Sequence, residues 1–116
     1  MFIAEDGTPS IGFYDSKGEA RLAMVAPNDE GPEIEFYDSE GKMGLKMFIA
    51  EDGTSGISLL NSKGETGLGM FVADEQSAIG IYDSEGEIRL GMGISKDKDP
   101  FLHFCGPDGE VIRSLP

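Results

Sequence analysis

The sequence predicts an all-β fold: an antiparallel meander of five β-hairpin repeats, about ten strands, closed as an up-and-down barrel or ring. Three observations predict it. The unit IGFYDSKGEARLAM (Ile11–Met24) returns as IEFYDSEGKMGLKM (Ile34–Met47), ISLLNSKGETGLGM (Ile57–Met70) and IGIYDSEGEIRLGM (Ile79–Met92), with a worn fifth copy, LHFCGPDGEVIRSL, at Leu102–Leu115. Within each copy apolar residues alternate with period two, and nowhere do they hold an i, i+3, i+4 pattern. The 17 glycines, many at a fixed spacing, mark turns and are too frequent for helix.

Taken in order, each repeat reads as a short strand, a turn, a long strand and a second turn. In the short strands Ile11 and Phe13 share a face, as do Ile34 and Phe36, Ile57 and Leu59, Ile79 and Ile81, and Leu102 and Phe104. The first turn, Asp15-Ser16-Lys17-Gly18 and its copies, fits a three-residue loop. In it Asp accepts backbone N–H bonds and Gly18, Gly41, Gly64, Gly86 or Gly109 takes the left-handed position. In the long strands Leu22 and Met24, Leu45 and Met47, Leu68 and Met70, and Leu90 and Met92 share a face.

Turn and pattern disagree about register. A three-residue loop pairs Tyr14 with Ala20 and puts it on the Leu22/Met24 face, whereas a two-residue loop pairs Phe13 with Ala20 and gathers the apolar residues together. One slip turns every side chain over. The recurrent glycine favours the three-residue loop, with Leu, Met and Tyr on one face and Ile and Phe on the other. The second turn is less regular: EDG at Glu5–Gly7 and Glu51–Gly53, NDEGP at Asn28–Pro32, DEQS at Asp74–Ser77, KDKDP at Lys96–Pro100. Because Gln76 and Lys98 stand near its glycine position, Gly7 is expected to matter less than Gly18.

The chain starts at Met1 and stops at Leu115, each midway along a long strand, so the expectation is that the sheet closes, within one chain or through identical copies. The alternative is an open hairpin stack, solenoid-like, that homo-oligomerises to hide an apolar face. Either way residues 1–116 read as one domain.

Charge and composition narrow the function. Net charge is −13, which repels phosphate backbones and anionic headgroups, so neither nucleic acid nor a membrane is expected as partner. No basic, apolar leader opens the chain, and the single cysteine forms no internal disulfide, which together favour a cytoplasmic setting.

The candidate chemistry is thin. Acidic pairs such as Asp15/Glu19, Asp83/Glu87, Glu5/Asp6, Glu51/Asp52 and Asp74/Glu75 lack the alternating oxygen ligands of a calcium loop and read as solvated turns. His103 and Cys105 share a strand face but stand alone, and a metal site needs three or four ligands. Ser16, Ser39, Ser62 and Ser84 recur as small turn residues, with no nucleophile elbow around them. Arg21 and Arg89 are expected to pair with turn carboxylates. No catalytic residue, cofactor or metal ligand is therefore assigned, and the chain reads as non-enzymatic.

Five of the six methionines occupy one repeat position. Methionine fills irregular cores and also suits adaptable apolar surfaces. Were a barrel of ten strands to keep a cavity, Met24, Met47, Met70 and Met92 with Leu22, Leu45, Leu68 and Leu90 would line it for a small apolar ligand.

The pattern φ-x-F-Y-D-S-x-G-x-x-R-L-x-M resembles tandem repeats of the LYDxxGKxRxxLGV type in uncharacterised bacterial proteins, over nearly the whole chain. Its period also resembles the membrane-occupation-and-recognition-nexus repeat, whose Y-x-G-x-W core this chain lacks. Both resemblances concern strands and turns and imply no activity. The expected role is a structural or protein-interaction module, with the apolar-ligand barrel as alternative.

Overall fold

In the computed structural model, which describes residues 1–115, the chain is a ribbon of strands folded back and forth in one layer. They are β1 (Phe2–Ile3), β2 (Pro9–Tyr14), β3 (Ala20–Val25), β4 (Glu33–Tyr37), β5 (Met43–Ile49), β6 (Ser55–Leu60), β7 (Thr66–Ala73), β8 (Gln76–Tyr82), β9 (Ile88–Ile94), β10 (Pro100–Cys105) and β11 (Val111–Leu115). Each pairs antiparallel with its neighbours in sequence, giving one 11-stranded sheet in the order β1 to β11. Among the described residues there is no helix. The expected all-β meander of hairpins is the observed fold.

Closure is not observed. β1 pairs only with β2, and β11 only with β10. The sheet is open, 49 × 29 × 19 Å in its principal extents, and the expected single-chain barrel or ring gives way to the open stack. Eleven strands about 4.8 Å apart account for the long dimension, which therefore runs across the strands. The radius of gyration, 16.8 Å, exceeds the roughly 13 Å of a compact domain of this length.

The first turn is as the sequence predicts. Asp15 N–H donates to the Glu19 carbonyl at 2.9 Å, Gly18 N–H donates back to the Asp15 carbonyl at 3.0 Å, and Gly18 has φ +84°. One carboxylate oxygen of Asp15 accepts from the amides of Lys17 and Glu19, and Asp38, Asn61 and Asp83 repeat this in their copies. In the fifth copy Gly106 has no such side chain, and a Glu110 carboxylate oxygen takes the Asp108 amide instead. The second turns differ from expectation. Gly7 and Gly53 also have φ near +88°, Lys98 takes +68° at the matching site, and the tight Ala73–Gln76 turn puts its positive φ on Asp74. Gly7 is therefore as constrained as Gly18, and Gln76 is not its counterpart.

The predicted division of faces is corrected by a β-bulge. Tyr14 pairs with Ala20, as the three-residue loop requires, but Phe13 then pairs with Leu22 and Ile11 with Met24. Arg21 is the extra residue. The same shift recurs between Phe36 and Tyr37, Leu59 and Leu60, Ile81 and Tyr82, and Phe104 and Cys105. A bulge sets two residues against one, so loop geometry and apolar pattern are both satisfied. The Ile, Phe, Leu and Met pairs such as Ile11/Met24 and Phe13/Leu22 share one face, and Tyr14, Tyr37 and Tyr82 lie on the other with Phe48 and Phe71.

Candidate functional site

Cross-strand pairing builds the apolar face into rows. One row runs Ile11, Met24, Ile34, Met47, Ile57, Met70, Ile79, Met92, Leu102 and Leu115, each opposite the next. Beside it runs Phe13, Leu22, Phe36, Leu45, Leu59, Leu68, Ile81, Leu90 and Phe104, and only with Arg113 in β11 does a charge enter. A third row passes through Ile49, Ser55, Val72, Ser77, Ile94 and Pro100. Short strands supply Ile or Phe, with Leu at Leu59 and Leu102, and long strands Met or Leu from β3 to β9, because the repeat has one of each. From β2 to β9 no ionisable side chain stands in these rows.

Among the described residues nothing covers this face. Met24, Met47, Met70 and Met92 are between 39% and 41% exposed, and Phe13, Ile49, Leu59 and Val72 more so. The face is hollowed into a groove of about 1080 Å³, lined by Ile11, Ile34, Ile57 and Ile79 with the four methionines and flanked by Pro9, Ile49, Val72 and Ile94. Of the expected lining residues, the methionines do line the groove. Leu22, Leu45, Leu68 and Leu90 stand in the next row of the same face, outside the groove proper. The three-residue turn taken alone predicts the isoleucines on the opposite face, and the bulge at Arg21 sets them opposite the methionines instead. Their period-two match to methionine across the strand was the signal that could have found them.

The other face covers itself. Its middle row is mostly small, including Gly12, Ala23, Ser58, Gly69, Gly80 and Gly91. Side chains from adjoining rows lie flat across these gaps. A Cβ at Gly69 would come within 2.5 Å of the Phe71 ring, and one at Gly80 within 3.0 Å of the Tyr82 ring. Aromatic side chains laid over strand glycines stabilise a sheet without a second layer. The buried residues sit on this side or at its rim: Ser58, Gly69, Gly80, Gly91, Cys105 and Gly106. Among the described residues no side chain is fully buried. A sheet normally buries an apolar face against a second layer, and among the described residues there is no second layer.

The polar groups hold strands and turns together. Arg21 reaches Asp15 at 3.9 Å and Arg89 reaches Asp83 at 3.4 Å, each within its own hairpin as the sequence predicts. Arg89 also donates to the Cys105 carbonyl at 2.9 Å, tying β9 to β10. Backbone amides hold the carboxyls of Asp15, Asp38 and Asp83 below the usual Asp range, chiefly those of Glu19, Lys42 and Glu87 respectively. On β4 and β5 the Tyr37 hydroxyl donates to Glu35, and Lys46 lies 3.8 Å from Glu33 and 5.1 Å from the centre of the Phe48 ring. Burial first, then the Glu35 contact, pushes the Tyr37 phenol up to about 12. Burial likewise raises the Glu33 carboxyl, against the pull of Lys46.

His103 stacks beside Phe101 with ring centres 4.8 Å apart, and the Cys105 thiol is buried. Among the described residues no three His, Cys, Asp or Glu side chains converge as metal ligands.

No protein-family model matches this chain, and no curated protein matches it significantly. The apolar face is the surface on which a functional reading has to rest.

Proposed function

We propose that this protein is a non-enzymatic interaction module that works by docking its apolar face against another apolar surface. One observation carries the reading: a charge-free face eight strands wide, on a chain of net charge −13, that no element among the described residues covers. Soluble monomers rarely expose contiguous apolar patches beyond a few hundred Å², and larger ones mark interaction sites. Acidic turns on both rims keep such a chain dispersed until the face is occupied.

The groove supports a second reading, a small apolar ligand held against Met24, Met47, Met70 and Met92. Its volume of about 1080 Å³ matches the upper end of ligand sites, and flexible thioethers adapt to varied apolar shapes. Leu22, Leu45, Leu68 and Leu90 would then form the shoulder of the site.

A neutral fluorescent probe, phenylnaphthylamine, tests whether the face is a working surface at all, since an anionic dye would be repelled by the charge. Dilute protein is expected to bind it saturably, and Met47→Glu with Met70→Glu to lose that binding while keeping a β-sheet circular dichroism spectrum. No probe binding at any dilution, together with no association of any kind, would remove both readings.

A further inference from the structure

The geometry points to a second copy of this chain as the occupant of the apolar face, packed sheet on sheet about a two-fold axis that runs parallel to the strands between β5 and β6. This rests on the interaction-module reading and names the partner.

Area is the first argument. From β2 to β9 the charge-free face is about 34 Å wide, and three alternate positions along a strand span about 14–20 Å, giving a footprint of roughly 480–680 Å². The smaller specific interfaces take about 600 Å² from each partner. One contact between two copies over the whole face therefore reaches that size.

Self-complementarity is the second. An isologous interface requires one surface to match its own rotated image. A two-fold axis parallel to the strands reverses strand order and keeps the rows. The eight strands β2 to β9 alternate Ile and Met in the central row, so reversal sets every isoleucine against a methionine: Ile11 faces Met92 of the second copy, and Met24 faces Ile79. In the next row Phe13 meets Leu90 and Phe36 meets Leu68, again a large ring against a smaller side chain. An axis perpendicular to the strands would set Ile on Ile and Met on Met and would mismatch the outer rows.

Shape is the third. A twisted sheet is a saddle, and a half-turn about an axis parallel to its strands returns the same saddle. A flipped copy can thus follow the face at the roughly 10 Å spacing of packed sheets. The rows carry no charge from β2 to β9, so repulsion between copies is confined to the exposed acidic turns at the rims, where salt screens it. The result is a β-sandwich whose only continuous apolar core is shared between copies.

Sedimentation velocity on the full chain, across a wide concentration range, is the first test. The expected species has twice the 12.4 kDa chain mass. Met70→Glu is expected to weaken it at least about a hundredfold, since it buries an unpaired carboxylate. If that variant fails to fold, Ile11→Cys/Met92→Cys in a Cys105→Ala background decides instead. These positions lie seven strands, about 34 Å, apart within one chain, so a short bis-maleimide can join them only between copies, and a covalent dimer is expected. A monomer at all concentrations that still binds phenylnaphthylamine would overturn the second copy and leave the module reading standing. A monomer that binds no probe would overturn both. Mass that grows without limit, with no cross-link at these cysteines, would mean copies joined edge to edge and would overturn the sandwich.

Discussion

Replacing Gly41 and Gly44 by alanine, one at a time, gives opposite results from the same chemical change three residues apart. Gly41 has φ +81° with no atom within 4 Å of where its Cβ would stand, so packing is not at issue and local backbone strain decides. An L-residue held in the left-handed region costs about 1–2 kcal/mol. Gly44, in β5, also has open space around its Cβ position, but its φ is not positive. Alanine there removes unfolded-state freedom and should stabilise by about 0.4–1 kcal/mol. The two variants should therefore separate by about 1.5–3 kcal/mol. Urea unfolding followed by circular dichroism reads the difference, at one fixed protein concentration because any association adds to stability. Equal midpoints would refute the assignment of Gly41 to the left-handed turn site and, with it, the register of the hairpin.

Two further outcomes follow from the titrating groups. The Asp38 carboxyl is held below its usual 3.8 by the Lys42 amide first and the Glu40 amide second, so the stability it contributes is present above that value and lost as pH falls through the lower folded one. Asp38→Asn should therefore be less stable than the parent near neutral pH and converge with it in strong acid, with geometry preserved because Asn61 already makes the same amide contacts; parallel curves at every pH would exclude this. The Tyr37 phenol, raised to about 12 mainly by burial, contributes stability that is intact below 10 and lost as pH rises through about 12. Absorbance titration should show a last phenolate step near pH 12 that disappears in Tyr37→Phe, and its persistence in the variant would rule the assignment out.

The hairpin repeat was legible because it rests on local chemistry. Asp15 and Gly18 specify their turn through bonds spanning four residues, and the alternation of Ile11 with Phe13 and of Leu22 with Met24 specifies strands. The division into faces was not legible from those signals taken separately. The turn places Tyr14 opposite Ala20, the apolar pattern requires Phe13 on the Leu22 face, and a strict ladder cannot satisfy both. The extra residue at Arg21 resolves the conflict, and its trace in the sequence is that the conflict recurs in every copy. Closure within one chain was not legible either, for a different reason. Alternation within a strand says which side chains share a face, but curvature depends on twist accumulated over all eleven strands, which no single repeat encodes. The methionine column was legible as unusual, while its isoleucine partners emerged only once register was fixed.

Small-angle X-ray scattering of the intact chain tests the central claim most directly, because mass and length answer separately. A face-to-face pair should show twice the chain mass with a longest dimension still close to that of one sheet, whose Cα extent is 49 Å, since the second copy adds thickness and not length. A particle of single-chain mass, with a radius of gyration near the 16.8 Å of the lone sheet at every concentration, would contradict it. So would a doubled mass accompanied by a doubled length.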